Sequence, residues 1–160
     1  MTSPKQEFKH IEVGEKAPEF DLPAFIKKQG EIRVKSGDFK DKKNIVLAFY
    51  PKDMTPGCTR EMSEFSEQLD IFDHKDTVVL GISADSLESH KEFSQKYELE
   101  LTLVSDDQLK TINDYGVSKD GKPRAKRVLF VIDKKGTVKH IQKGMPDYQA
   151  LLYEIEQLED

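Results

Sequence analysis

Ile45-Val-Leu-Ala-Phe-Tyr-Pro-Lys-Asp-Met-Thr-Pro-Gly-Cys58-Thr-Arg-Glu61-Met62 carries the chain from an apolar run through a turn into a periodic segment. Residues 45–50 are apolar without polar alternation, which is the pattern of a strand covered on both faces. Past the turn, Met62, Phe65, Leu69 and Phe72 recur at spacings of three and four, the signature of one face of a helix. A second apolar run at 78–82 follows. Strand, helix, strand is a βαβ unit, so the first two runs are expected to lie parallel in one sheet.

Working outward, residues 20–25 and 32–34 flank Lys27-Lys-Gln-Gly30 and predict an N-terminal hairpin. Downstream, residues 86–97 read as a helix, 101–104 as a short strand, and 109–115 as a helix closed by Gly116, a residue suited to a helix C-terminal cap. The run Val128–Ile132 precedes the turn signal Asp133-Lys-Lys-Gly136 and a further strand at 137–141, which predicts a second hairpin. Residues 148–158 close the chain as a helix. A βαβ half followed by a ββα half is the pattern of a thioredoxin-like α/β fold: a central mixed sheet flanked by helices, with an N-terminal β-hairpin extension. Neither repeat nor linker interrupts the sequence, so residues 1–160 are expected to form one domain.

Composition agrees with a folded, water-soluble chain. At 160 residues it is long enough to bury about 70% of its unfolded surface. Charged residues make up 34% and hydrophobic ones 36%, with nine Phe and five Tyr, which separates the chain from disordered sequences. The net charge of −5 repels phosphate backbones and anionic lipid headgroups, so neither nucleic-acid nor membrane partners are expected. The opening MTSPKQEFKH lacks the apolar run of a signal peptide, and the expectation is a cytoplasmic protein. His10, His74, His90 and His140 show no metal-ligand spacing and read as solvated surface residues, so no metal or cofactor is expected. The five cations of residues 119–127 read as a solvated connection, and Asp106 and Asp107 as helix-capping residues.

Cys58 is the only cysteine, which excludes an internal disulfide, a paired-cysteine redox motif and a cysteine-based metal cage. Thr55 is suited to an N-cap and Pro56 to the first helical position, which would put Cys58 in the first turn, facing unpaired amides. That placement favours an anionic sulfur, the nucleophilic form of a thiol. A helix end supplies only about 0.3–1 kcal/mol, whereas each unit of pKa depression needs about 1.4, so strong activation requires a second cation. Position 58 also continues the apolar spacing of 62, 65, 69 and 72. A structural core cysteine is therefore an equal reading of these residues alone.

The spacing Pro51-x-x-x-Thr55-x-x-Cys58 resembles the active-site signature of the peroxiredoxins. The wider stretch Phe49-Tyr-Pro-Lys-Asp-Met-Thr-Pro-Gly-Cys58-Thr59 is similar to the bacterioferritin comigratory protein (PrxQ) branch of that family. Val13-Gly-Glu-Lys-Ala-Pro-Glu-Phe20, Leu80-Gly-Ile-Ser83, Tyr115-Gly-Val117 and the Arg127-Val-Leu-Phe-Val-Ile-Asp133 segment extend the likeness over most of the chain. The resemblance implies a thiol-dependent peroxidase that reduces hydrogen peroxide and organic hydroperoxides. It makes Cys58, Thr55 and Arg127 catalytic and has Pro51, Pro56 and Gly57 shape the substrate site. Glu61, one turn after Cys58, reads equally as a brace for an arginine and as a solvated helix charge. Five residues after Cys58, where many relatives carry a resolving cysteine, this chain has Ser63. That substitution implies a one-cysteine enzyme whose sulfenic acid is reduced by an external thiol: thioredoxin, glutaredoxin or a small thiol. A monomer or weak homodimer is expected. Two other readings stay open on the sequence: a sensor whose oxidised Cys58 forms a mixed disulfide with a partner, and a binding module in which Cys58 is core.

Overall fold

The computed structural model describes residues 11–158. Along the chain these form β1 (Asp21–Ile26), β2 (Gly30–Lys35), a 3-10 turn (Ser36–Phe39), β3 (Asn44–Phe49), α1 (Pro56–Glu67), α2 (Leu69–Asp73) and β4 (Thr77–Ser83). There follow α3 (Leu87–Tyr97), β5 (Thr102–Ser105), α4 (Lys110–Asp114), β6 (Val128–Ile132), β7 (Val138–Lys143) and α5 (Tyr148–Glu156). The two expected hairpins and the apolar strands are all present.

The strands build one mixed sheet in the order β2-β1-β5-β4-β3-β6-β7. β3, β4 and β5 run parallel, while β1, β6 and β7 join antiparallel to their neighbours. Both faces of the sheet are covered. Ile45, Leu47 and Phe49 of β3 point to the side closed by Ile112 and Tyr115. Val46, Ala48 and Tyr50 point to the side closed by α1, α3 and α5, through Met62, Phe65, Phe93 and Leu151. This two-sided burial explains why β3 reads as an unbroken apolar run. Each such side chain contributes about 1.5–3 kcal/mol on leaving water.

α1 lies against β4 at Gly81, where a Cβ would come within 2.8 Å of Met62 Sδ and 3.0 Å of Leu103 Cδ2. The missing side chain lets the helix that begins at the Cys58 turn pack close to the sheet.

Two elements differ from expectation. The helix read through positions 62–72 breaks at Gln68 (φ −106°, ψ 8°) into α1 and α2. There the Gln68 side chain donates to Glu64 O at 3.3 Å, and the next turn begins afresh from Gln68 O, which accepts from Ile71 and Phe72. α4 is shorter than read, because Leu109 takes a left-handed conformation (φ +64°) ahead of it. Its end matches expectation: Gly116 (φ +68°) closes a double turn with Gly116 N–H on Asn113 O and Val117 N–H on Ile112 O.

Candidate active site

The carboxyl ends of β3, β4 and β5 lie side by side, with Phe49 opposite Ile82 and Ile82 opposite Val104. The antiparallel pairing of Phe49 with Val128 brings the start of β6 to the same edge. In open α/β sheets this edge is where loops gather and ligands bind.

From β3 the chain enters the turn through Pro51, half-buried, and reaches Met54 in a left-handed conformation (φ +73°). Such a conformation costs a non-glycine residue of order 1–3 kcal/mol. Thr55 then sits at the N-cap of α1 with extended geometry, and Pro56 occupies the first helical turn, as expected. The capping role is corrected. The Thr55 hydroxyl donates to Lys52 O at 2.8 Å and makes no cap hydrogen bond. The first-turn amides of Gly57 and Cys58 therefore lack both an intrahelical acceptor and a side-chain cap.

Cys58 points inward and is fully buried, part of the same apolar cluster as Met62 and Phe65. The helical spacing was thus a true signal, and a cation lies beside the sulfur as well. Arg127 Nη2 is 3.4 Å from Cys58 Sγ, while Nη1 donates to Glu61 Oε1 at 2.6 Å. Gly57 lies beneath the guanidinium: a Cβ there would stand 3.1 Å from Arg127 Nη2.

The electrostatics of the pair are unequal because its burial is. Glu61 is 1% exposed and Arg127 21%. Burial pushes the Glu61 carboxyl up to about 7, against the hydrogen bond and charge of Arg127, which pull it down. For Arg127 the burial cost is outweighed by Glu61 and by the charge of Cys58, so the guanidinium is held above its ordinary value and stays a cation. Tyr148 of α5 donates to Glu61 O at 3.1 Å and stacks edge-on against Phe65, tying the last helix to α1.

The fold thus brings Gly57, Cys58, Glu61 and Arg127 together. Pro56 is exposed and Ser63 half-buried on α1.

Among the histidines, the surface reading fails for His90, which is fully buried. Its ring meets Asp53 Oδ2 at 2.7 Å through Nδ1 and Val104 O at 2.9 Å through Nε2. A periodic signal was available, since His90 lies three residues from both Leu87 and Phe93 and so shares their face of α3. His74 is exposed, His140 is half-buried, and His10 lies outside the described residues. Asp106 does cap α4, accepting the Ile112 amide at 2.7 Å. Among the described residues no group of three His, Cys, Asp or Glu could hold a metal ion, and no helix is long and apolar enough to cross a membrane.

A thioredoxin-like sheet carrying a thiol and a fixed cation at this edge defines a thiol-dependent peroxidase of the peroxiredoxin class. Residues 13–141 match the AhpC/TSA family model, and the chain belongs to that family. The peroxiredoxin Bcp of Bacillus subtilis (strain 168) is 42% identical over 132 residues, covering 79% of this chain and 81% of that protein. A bcp peroxiredoxin of Coxiella burnetii is 42% identical over 134 residues, covering 80% and 85%. The mitochondrial 2-cys peroxiredoxin of Plasmodium falciparum superposes with a TM-score of 0.83 at 32% identity, covering 90% of this chain and 92% of that one.

Proposed function

We propose that Cys58 is the peroxide-attacking nucleophile and that Arg127 is the cation that stabilises it. The observation that carries this reading is the 3.4 Å approach of Arg127 Nη2 to Sγ, with the other guanidinium nitrogen fixed on Glu61.

The thiolate attacks one peroxide oxygen, an S–O bond forms and the O–O bond breaks. The departing oxygen takes a proton and leaves as water or an alcohol, and Cys58 becomes a sulfenic acid. Negative charge moves from sulfur to the leaving oxygen during attack. Donors already in place lower that barrier without reorganising, a role for the Gly57 and Cys58 amides and for Arg127. Thr55 has its proton committed to Lys52 O, so its oxygen serves as an acceptor for the peroxide O–H. Pro51 and Pro56 fix the backbone on either side of Thr55.

With no second cysteine in the sequence, the sulfenic acid is resolved from outside. One external thiol displaces water to give a mixed disulfide, and a second thiol releases Cys58. Thioredoxin, glutaredoxin or a small thiol would serve. A reducing, cytoplasmic setting and a monomer or weak homodimer fit this cycle.

Intact-mass measurement after one equivalent of hydrogen peroxide tests the reading. The chain should gain one oxygen and lose it on adding thiol, and Cys58→Ser should neither gain oxygen nor consume peroxide. Parent-rate consumption by Cys58→Ser would refute the assignment.

A further inference from the structure

Behind the Cys58 turn lies a buried polar cluster that peroxide chemistry does not use. Asp53 sits in the turn itself, with its side chain 1% exposed. Three polar groups converge on its carboxyl group. Tyr50 Oη bonds Oδ1 at 2.6 Å, while Ser89 Oγ and His90 Nδ1 approach Oδ2 at 2.8 and 2.7 Å. The Asp53 amide donates in turn to Asp85 Oδ2 at 2.9 Å, an oxygen that also accepts from Ser83 Oγ at 2.6 Å. On the far side, Ser105 Oγ donates to Asp85 O at 2.6 Å.

The protons can be placed by elimination. Val104 O is a carbonyl and only accepts, so His90 Nε2 carries a hydrogen. Asp53 Oδ2 faces Nδ1, and both carboxylate oxygens already accept a hydroxyl proton. Burial, then the Asp53 charge, holds Tyr50 well above the ordinary phenol value, so its hydroxyl remains a donor. One proton therefore lies between Nδ1 and Oδ2, and the pair is held at both ends, on Val104 O and on the two hydroxyls.

We propose that the buried, hydrogen-bonded Asp53–His90 pair is the positioning device of the peroxide site, holding the turn that presents Thr55 and Cys58 against the ends of β4, β5 and α3. Each tie reaches a different element: Val104 on β5, Ser83 and Asp85 at the end of β4, Ser89 on α3. The restraint is needed because the next residue, Met54, is held in a left-handed conformation (φ +73°), which the free chain would relax. Two residues after Asp53, Thr55 takes its place at the start of α1. Movement of the turn would shift the first-turn amides relative to Arg127, and misplacement by about 1 Å can cost roughly a hundredfold in rate. This inference rests on Cys58 being the nucleophile.

The test uses the full chain and two reagents for the same sulfur: hydrogen peroxide, whose attack needs the arranged donors, and iodoacetamide, which needs only an accessible thiolate. Asp53→Asn and His90→Gln should lower the second-order rate with peroxide by about ten- to a hundredfold. Alkylation of the same variants should stay within about twofold of the parent or rise. If Asp53→Asn fails to fold, Ser89→Ala carries the test, because it removes one donor and should lower the peroxide rate by about two- to fivefold. Nitrogen-15 NMR of the parent should show His90 Nε2 carrying a hydrogen. Parallel changes in the two reagents, unchanged peroxide rates, or an Nε2 without a hydrogen would each overturn the proposal. Peroxide turnover by Cys58→Ser would instead overturn the nucleophile assignment, so the two failures are distinguishable.

Discussion

Arg127 is anchored on Glu61 by a 2.6 Å bond from Nη1, and this anchor aims its second nitrogen at the sulfur. A bridge of that kind requires a planar cation with two separate donors.

Replacing Arg127 should therefore separate charge from geometry. Arg127→Lys keeps a cation but cannot hold Glu61 and Sγ together, and Arg127→Ala removes both contacts. With charged hydrogen bonds worth about 1.5–3 kcal/mol, the peroxide rate should fall about ten- to a hundredfold in both, and Lys should rescue only part of it. Stopped-flow consumption of hydrogen peroxide measures this, and full activity in Arg127→Lys would contradict the bridging account.

Glu61 predicts opposite trends in activity and stability with pH. Its folded value of about 7 lies above the ordinary 4.5, so between those two pH values the folded chain binds more protons than the unfolded one. Stability from this group is present below about 4.5 and declines as pH rises toward 7. Activity should move the other way, falling as pH drops through about 7, because a protonated carboxyl accepts more weakly from Arg127. Glu61→Gln should flatten both dependences and lower the rate above pH 7. Thermal melts and peroxide rates from pH 5 to 9 provide the comparison.

Gly57→Ala should lower the rate without harming the fold. The added methyl meets Arg127 Nη2 at 3.1 Å, so the guanidinium must give way, whereas Ala in a helix is favoured over Gly by up to about 1 kcal/mol. A melting temperature equal to or above the parent's, with a peroxide rate reduced about three- to tenfold, is the expected split. Loss of both together would mean that the residue matters for folding alone.

Ser63→Cys tests how far α1 can open. On a helix, positions 58 and 63 stand about 140° apart and roughly 8.6 Å between Cα atoms, beyond the ~7 Å limit for a disulfide. Peroxide should first yield the sulfenic acid, and the disulfide should form only with loss of amide-exchange protection in the first turns of α1. A disulfide formed with α1 fully protected would show that the helix does not constrain the pair.

Much of the fold was legible because burial on both faces writes itself into sequence as unbroken apolar runs, as at residues 45–50 and Val128–Ile132. The break at Gln68 was not legible, since the apolar spacing continues across it to Phe72 and the interruption comes from hydrogen bonding, which periodicity does not report. Thr55 shows the same limit: its type and position marked a cap, and the local turn sent its hydroxyl to Lys52 O.

The sequence by itself determined that one thiol stands at a strand-to-helix turn and has no internal partner, because these are facts of composition and local order. Only the tertiary structure decided what surrounds that thiol. Arg127 lies 69 residues from Cys58, and the antiparallel register of Phe49 with Val128 places it beside the sulfur. Asp53 and His90 lie 37 residues apart, and the parallel pairing of β3, β4 and β5 brings α3 against the turn. Strand register is set by packing over the whole sheet, so it assigns neighbours that no local pattern can name.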